Sequence, residues 1–290
     1  MVTWWTLALA ISFASCIFLN LNKKFQLDGL RARGWSTFFA ASYLSPILFF
    51  IYLPTDPAFY LCAFIAGCMM SFVGEIYFNL GARYGGPVAS LSRPFGIICS
   101  FIVWAAYDWQ NTLIMLSDPI VGFGILAAFT LAMWGQMRLV KDNKSIKTAI
   151  KALVAAALIG GLVSPITKFG MEFTITPQQA LVWTFFFHVS GSAMCFLRHC
   201  LRNTDDPIVT KKHLHFGYMI GLYNAIFGTM YAYAVLLAPN PSFIGLVVML
   251  TTVWLMIYYK LRGQDALVRP KAVAMLLTAV TVLVFTTRGL

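Results

Sequence analysis

Ten runs of mainly apolar residues alternate with short polar stretches along this chain. They cover residues 4–20, 35–53, 58–81, 87–106, 117–135, 148–167, 179–198, 214–237, 241–260 and 271–286. About 20 apolar residues cross a hydrocarbon core as a helix, so each run predicts one spanning helix. Turn-forming residues join several of them: Pro54-Thr55-Asp56-Pro57, the Gly-rich turn Gly81–Gly86, and Ala238-Pro239-Asn240-Pro241. No connection is long enough to hold a separate soluble domain. The first run has no basic residue before it and is long enough to span, so it predicts a helix rather than a cleaved leader.

The polar stretches carry a sidedness. Lys23, Lys24, Arg31, Arg33, Arg83, Arg138, Lys141, Lys144, Lys147 and Lys151 fall on one side of a ten-span arrangement. Arg198, Arg202, Lys211, Lys212, Lys260, Arg262, Arg269 and Lys271 fall on the same side. The other side has Lys168 and Arg288, and Arg93 lies within a run. The positive-inside rule places the rich side in the cytoplasm and both termini outside. A bacterial inner (plasma) membrane is the expected location.

Composition agrees with the pattern. The 290 residues are 60% hydrophobic and 11% charged, well below the charge of a soluble domain. The net charge of +11 sits in short loops between apolar runs, which argues for topology and against nucleic-acid binding. Cys16, Cys62, Cys68, Cys99, Cys195 and Cys200 form no C-x-x-C pair, so neither a zinc site nor redox chemistry is indicated. With no nucleotide-binding loop and no nucleophile–base motif, the sequence predicts no cofactor and no enzyme activity.

The two halves resemble each other. Trp35-Ser-Thr-Phe-Phe-Ala-Ala-Ser42 matches Trp183-Thr-Phe-Phe-Phe-His-Val-Ser190, and Lys24-Phe25 matches Lys168-Phe169. At an offset of 154, Phe72-Val-Gly-Glu-Ile-Tyr77 matches Ile226-Phe-Gly-Thr-Met-Tyr231, Pro87 matches Pro241, and Asp108-Trp-Gln110 matches Arg262-Gly-Gln264. Repeats of five spans each must be inverted relative to one another. Inverted repeats belong to alternating-access transporters, with the site near the midplane. The predicted fold is thus an all-α polytopic membrane protein of ten transmembrane helices. It comprises a first repeat at 1–137, a basic cytoplasmic connection at 138–147 and a second repeat at 148–290.

Here the chain resembles the drug/metabolite transporter superfamily in its ten-helix, EamA-type form. Pro87-Val-Ala-Ser-Leu-Ser-Arg-Pro94, the run to Trp134 with Gly122 and Gly124, and the counterpart 241–286 carry the resemblance. Asp108 stands roughly where the family often has Glu, and the second half has Gln264-Asp265. The resemblance implies a basket in which helices 1–4 and 6–9 line a central cavity and helices 5 and 10 are peripheral. Two features depart from the family. The charge distribution puts the termini outside, and Arg93 before the proline is not a family hallmark.

Within the hairpin 74–108, Glu75 and Arg93 sit at matching depth, which predicts pairing in at least one state. Arg93 has the donor fork to bind an anion, and Glu75 could carry a proton. Their repeat counterparts are Thr229 and Val247, so the scaffold does not require the pair. Further candidates are Tyr77 and Asn79 on the third helix, His188 on the seventh, and Tyr223, Asn224 and Tyr231 on the eighth. Their structural alternative is hydrogen bonding between helices. Lys168 and Glu172 are spaced as a local pair. Trp4, Trp5, Trp104 and Trp109 predict interfacial anchors, and Lys141–Lys151 a contact with anionic headgroups. The expected function is secondary transport of a small anionic or zwitterionic organic solute, an amino acid or metabolite, with proton coupling left open. The alternative is a lipid or lipid-linked headgroup translocase. Solute and membrane lipids are the expected partners of a monomer or homodimer, with nucleic acid excluded.

Overall fold

The structure, a computed structural model, describes residues 3–25, 27–84, 89–139, 143–202, 206–263 and 269–287, without the side chains of 18–24, 90, 139 and 143–148. Gly85, Gly86, Pro87, Lys141, Gln264, Asp265 and Arg288 therefore lie outside the described residues, as do the side chains of Lys23, Lys24, Lys144 and Lys147.

Helices occupy all ten apolar runs. They are α1 (Trp4–Phe25), α2 (Gly29–Leu44, extended by a 3-10 stretch Ser45–Phe50), α3 (Pro57–Tyr84), α4 (Arg93–Tyr107, preceded by a 3-10 turn Ser90–Ser92), α5 (Trp109–Ser117) and α6 (Pro119–Leu139). Then follow α7 (Asn143–Met171), α8 (Gln179–Leu201), α9 (Lys211–Leu237), α10 (Ser242–Val248), α11 (Thr251–Leu261) and α12 (Pro270–Thr287). Seven helices are long and apolar enough to cross a membrane, counting α10 and α11 as one, and no strand occurs among the described residues. The chain is an all-helical polytopic membrane protein.

Several boundaries differ from the sequence reading for local reasons. The second helix begins at Gly29 rather than near Trp35, because the Asp28 carboxylate accepts from the Arg31 amide at 3.0 Å and caps it. Backbone helix continues through Gly81 to Tyr84, where the sequence predicts the start of the turn Gly81–Gly86. The short helix α5, absent from the sequence reading, lies between the fourth and fifth runs. Helix α7 starts at Asn143, inside the predicted basic connection.

Small residues set the packing. The buried face of α2 holds Gly29, Ala32, Gly34, Ser36, Thr37, Ala40 and Ala41, and this face lets α8 and α9 approach closely. Helix α3 lies along α8 and α7, α4 along α7, and α1 along α9, α10 and α11. A Cβ at Gly67 of α3 would collide with the Phe187 carbonyl and the Ser190 hydroxyl of α8, so that crossing requires glycine. Helices α6 and α12 pack chiefly on each other.

Two of the four tryptophans are not anchors. Trp4 is 6% exposed and lies 6.0 Å from the Phe243 ring, while Trp104 is 2% exposed. Trp109 is exposed, as an interfacial residue should be. The local Lys168–Glu172 pair also gives way to longer-range partners. Lys168 Nζ donates to the Leu236 and Ala238 carbonyls at 2.8 and 3.0 Å, and Glu172 accepts from the Tyr107 hydroxyl at 3.2 Å. The last carbonyls of α9 are the negative end of its dipole, which attracts the ammonium.

Candidate functional site

A cavity of about 280 Å³ lies between helices of the two halves, at the small end of ordinary ligand pockets. Its wall includes Arg33, Tyr77, Arg93, Thr184, His188 and Asn224, together with Tyr223 and Tyr231. Among the described residues, no Asp or Glu lines it, and no cluster of metal-ligating side chains occurs.

Six of the eight residues singled out from sequence line this cavity: Arg93, Tyr77, His188, Tyr223, Asn224 and Tyr231. Glu75 and Asn79 do not. The Asn79 side-chain carbonyl accepts from the Gly29 amide at 3.0 Å and supports the start of α2.

The predicted Glu75–Arg93 pairing is not what the structure holds. Arg198 and Arg202 donate to the two carboxylate oxygens of Glu75 at 2.6 and 2.7 Å. The Arg198 guanidinium also lies 3.9 Å from the Phe72 ring centroid, a cation–π contact. Depth alone does not decide a pairing. Residues two apart on a helix point about 200° apart, and Tyr77 faces Ser92 at 3.0 Å beside Arg93. Glu75 therefore faces away from Arg93, toward the end of α8.

Arg93 meets a broken helix instead. Its Nη1 donates to the Val248 carbonyl and to the Thr251 hydroxyl oxygen, both at 2.9 Å. The chain between α10 and α11 is non-α at this point. The Thr252 amide turns to the Met249 carbonyl, which leaves the Val248 carbonyl without its usual backbone donor. Arg93 and the Thr251 hydroxyl take that donor's place. Pro94, at the second position of α4, lacks the N–H that a first helical turn would leave unused.

His188 Nε2 faces the Asn224 carbonyl at 3.2 Å. A carbonyl only accepts, so in the neutral ring Nε2 carries the proton and Nδ1 is an acceptor. His188 Nδ1 and Asn224 Nδ2 are buried without a protein partner. Tyr77 hydrogen-bonds Ser92, and Tyr231, which matches it in sequence at the offset of 154, bonds Ser164 on α7.

Arg33 is the residue the sequence reading missed. It counted as a cytoplasmic loop charge, yet it sits on α2, is 5% exposed and lines the cavity. Its stem packs on Gly74, where a Cβ would come within 2.7 Å of Arg33 Cδ. Its guanidinium makes no hydrogen bond and no ion pair among the described residues, and Nε is fully buried. The capping residue Asp28, followed by small residues at helical spacing through Gly34, could have revealed that the helix begins early enough to carry Arg33 inward.

No protein-family model matches this chain, and no curated protein matches it. A solved chain described only as "Crystal structure of protein" has a similar fold, with a TM-score of 0.67 and 13% identity. That match covers 99% of this chain and 98% of the other. At such identity the likeness concerns the fold alone.

Proposed function

We propose that this chain is a secondary transporter that moves a small organic anion by alternating access, and that it belongs with the drug/metabolite transporters it resembles. The observation that carries this reading is the cavity wall. Arg33 and Arg93 face one central space, and among the described residues no carboxylate lines it. A buried guanidinium is costly without a counter-charge, so a soluble anion is the natural occupant.

Ten spans in two inverted five-helix repeats complete the proposal, and the packing partners support it. Exchanging runs 1–5 with runs 6–10 turns the contact of α3 with α7 into that of α9 with α1. It turns α2 with α9 into α8 with α3, and α4 with α7 into α10–α11 with α1, and it leaves the α6–α12 pair as itself. The breaks preceding α4 and between α10 and α11 fall within about one helical turn of equivalent positions, as in transporters whose discontinuous helices line the site. Proton coupling through Glu75 loses support, because both of its oxygens are committed to arginines. His188 is the titratable imidazole in the wall for a coupled form.

Reconstitution in proteoliposomes tests the function. Exchange of radiolabelled small carboxylates is expected with the native chain and is lost in Arg93→Ala. Movement of a fluorescent phospholipid without carboxylate exchange would instead support the lipid translocase. Orientation has a native reporter in Cys200, which is exposed at the basic end of α8. A membrane-impermeant maleimide should label it in inside-out vesicles and not in intact cells, and the reverse result rejects a cytoplasmic basic side.

A further inference from the structure

Two positive poles face the cavity, and they differ in kind. Arg93 already has neutral partners, the Val248 carbonyl and the Thr251 hydroxyl. Arg33 has none among the described residues, although it is 95% buried by its 5% exposure and its Nε is fully buried without a partner. Their surroundings are separate. Arg33 packs on Gly74 of α3 and lies in the electrostatic reach of His188 and Cys195 of α8. Arg93 lies beside Tyr77 of α3 and Tyr223 of α9. Glu75, which lies between the lining residues Val73 and Tyr77 on α3, is held by Arg198 and Arg202 and does not line the cavity.

A monoanion in this space compensates one guanidinium and leaves the other buried with no counter-charge, which is the expensive arrangement. A solute with an anionic group at each end compensates both. Each guanidinium presents a planar fork matched to a carboxylate or phosphate. The Asn224 side-chain amide Nδ2, buried and without a partner, adds a neutral donor to the cavity wall.

We infer that the cavity is a two-point site for a small dianion, with one anionic group on Arg33 and a second, separate one on Arg93. The ligand class is a short-chain dicarboxylate or a carboxylate bearing a phosphate ester. This deepens the proposed transport function and rests on it. It also makes Arg33 the residue that distinguishes dianion from monoanion.

The test uses the full chain in lipid nanodiscs and reads ligand affinity by thermal shift. The probes are succinate, glutarate and adipate, each beside its monoamide, which keeps the shape and removes one charge. At least one diacid should bind about tenfold more tightly than its monoamide, the scale of one charged hydrogen-bonding contact. Arg33→Gln should bring that ratio close to one, and Arg33→Lys should restore part of the ratio. The ratio is internal to each variant, so a general loss of stability does not imitate the result. Equal binding of diacid and monoamide in the native chain, or an unchanged ratio in Arg33→Gln, overturns the two-point site and leaves the anion cavity standing. Failure of all six probes to bind overturns the two-point site together with the anion transporter.

Discussion

The hairpin of α3 and α4 and the later one of α9 with α10 and α11 share a sequence pattern and differ in charge. In the first, Glu75 ties α3 to the end of α8 through Arg198 and Arg202. In the second, the equivalent Thr229 only returns its hydroxyl to the Ala225 carbonyl of its own helix. Arg93 of the first hairpin reaches across to the break in the second, while the equivalent Val247 is buried in packing. The charges therefore do not serve the hairpin that carries them. One binds a neighbouring helix, and the other completes the backbone bonding of the opposite half of the chain. The difference teaches that an asymmetry between two similar hairpins can be a complement between them.

The largest test of that contrast is Glu75→Gln against Thr229→Val. Removing one partner of a mostly buried ion pair leaves the others uncompensated, at about 3 kcal/mol. The Thr229 hydroxyl bonds only within its helix, so its loss should be close to neutral. Unfolding free energies in bilayers by steric trapping measure both, and equal costs would erase the distinction between the hairpins. Next in size, Arg93→Met should cost about 2 kcal/mol, because the Val248 carbonyl loses a charged donor. The same measurement checks it, and a cost near zero would mean that the Thr251 hydroxyl satisfies that carbonyl alone.

Smaller still are the equivalent glycines Gly74 and Gly228. A Cβ at Gly74 comes within 2.7 Å of Arg33 Cδ, and one at Gly228 within 3.1 Å of His188 Nε2. Gly74→Ala should cost about 1.5 kcal/mol as an overpacked site, and its cost should vanish in an Arg33→Ala background in a double-mutant cycle. Gly228→Ala should cost about 0.5 kcal/mol or less, within the range of minor repacking. A larger loss for Gly228→Ala than for Gly74→Ala would reverse the assigned order.

The helical runs were legible because hydrocarbon demands long apolar segments, and each run is helical. Cavity-lining residues such as Tyr77, His188 and Asn224 were legible because polar groups among apolar ones are rare enough to stand out. Rotation about the helix axis was harder to read. Depth placed Glu75 level with Arg93, but helix azimuth turned it to Arg198, which had counted as a topology charge. Arg33 was hidden for the same reason, since a basic residue just before an apolar run looks like a loop. Only the cap at Asp28 and the small-residue face beyond it betray the earlier helix start. The break at Val248–Thr251 was not legible because the run has no internal proline and threonine hydroxyls, like those of Thr251 and Thr252 there, also bond back to the backbone of unbroken helices.

The contact between Gly74 and Arg33 has a consequence for how this chain can change by descent. A methyl at position 74 is disfavoured while the long side chain occupies position 33. A lineage that first shortened residue 33 would open position 74 to larger residues, and the way back would then be closed by the new side chain. Ligand preference at the cavity would thus be lost through a ratchet of two substitutions, the second of which touches no ligand at all.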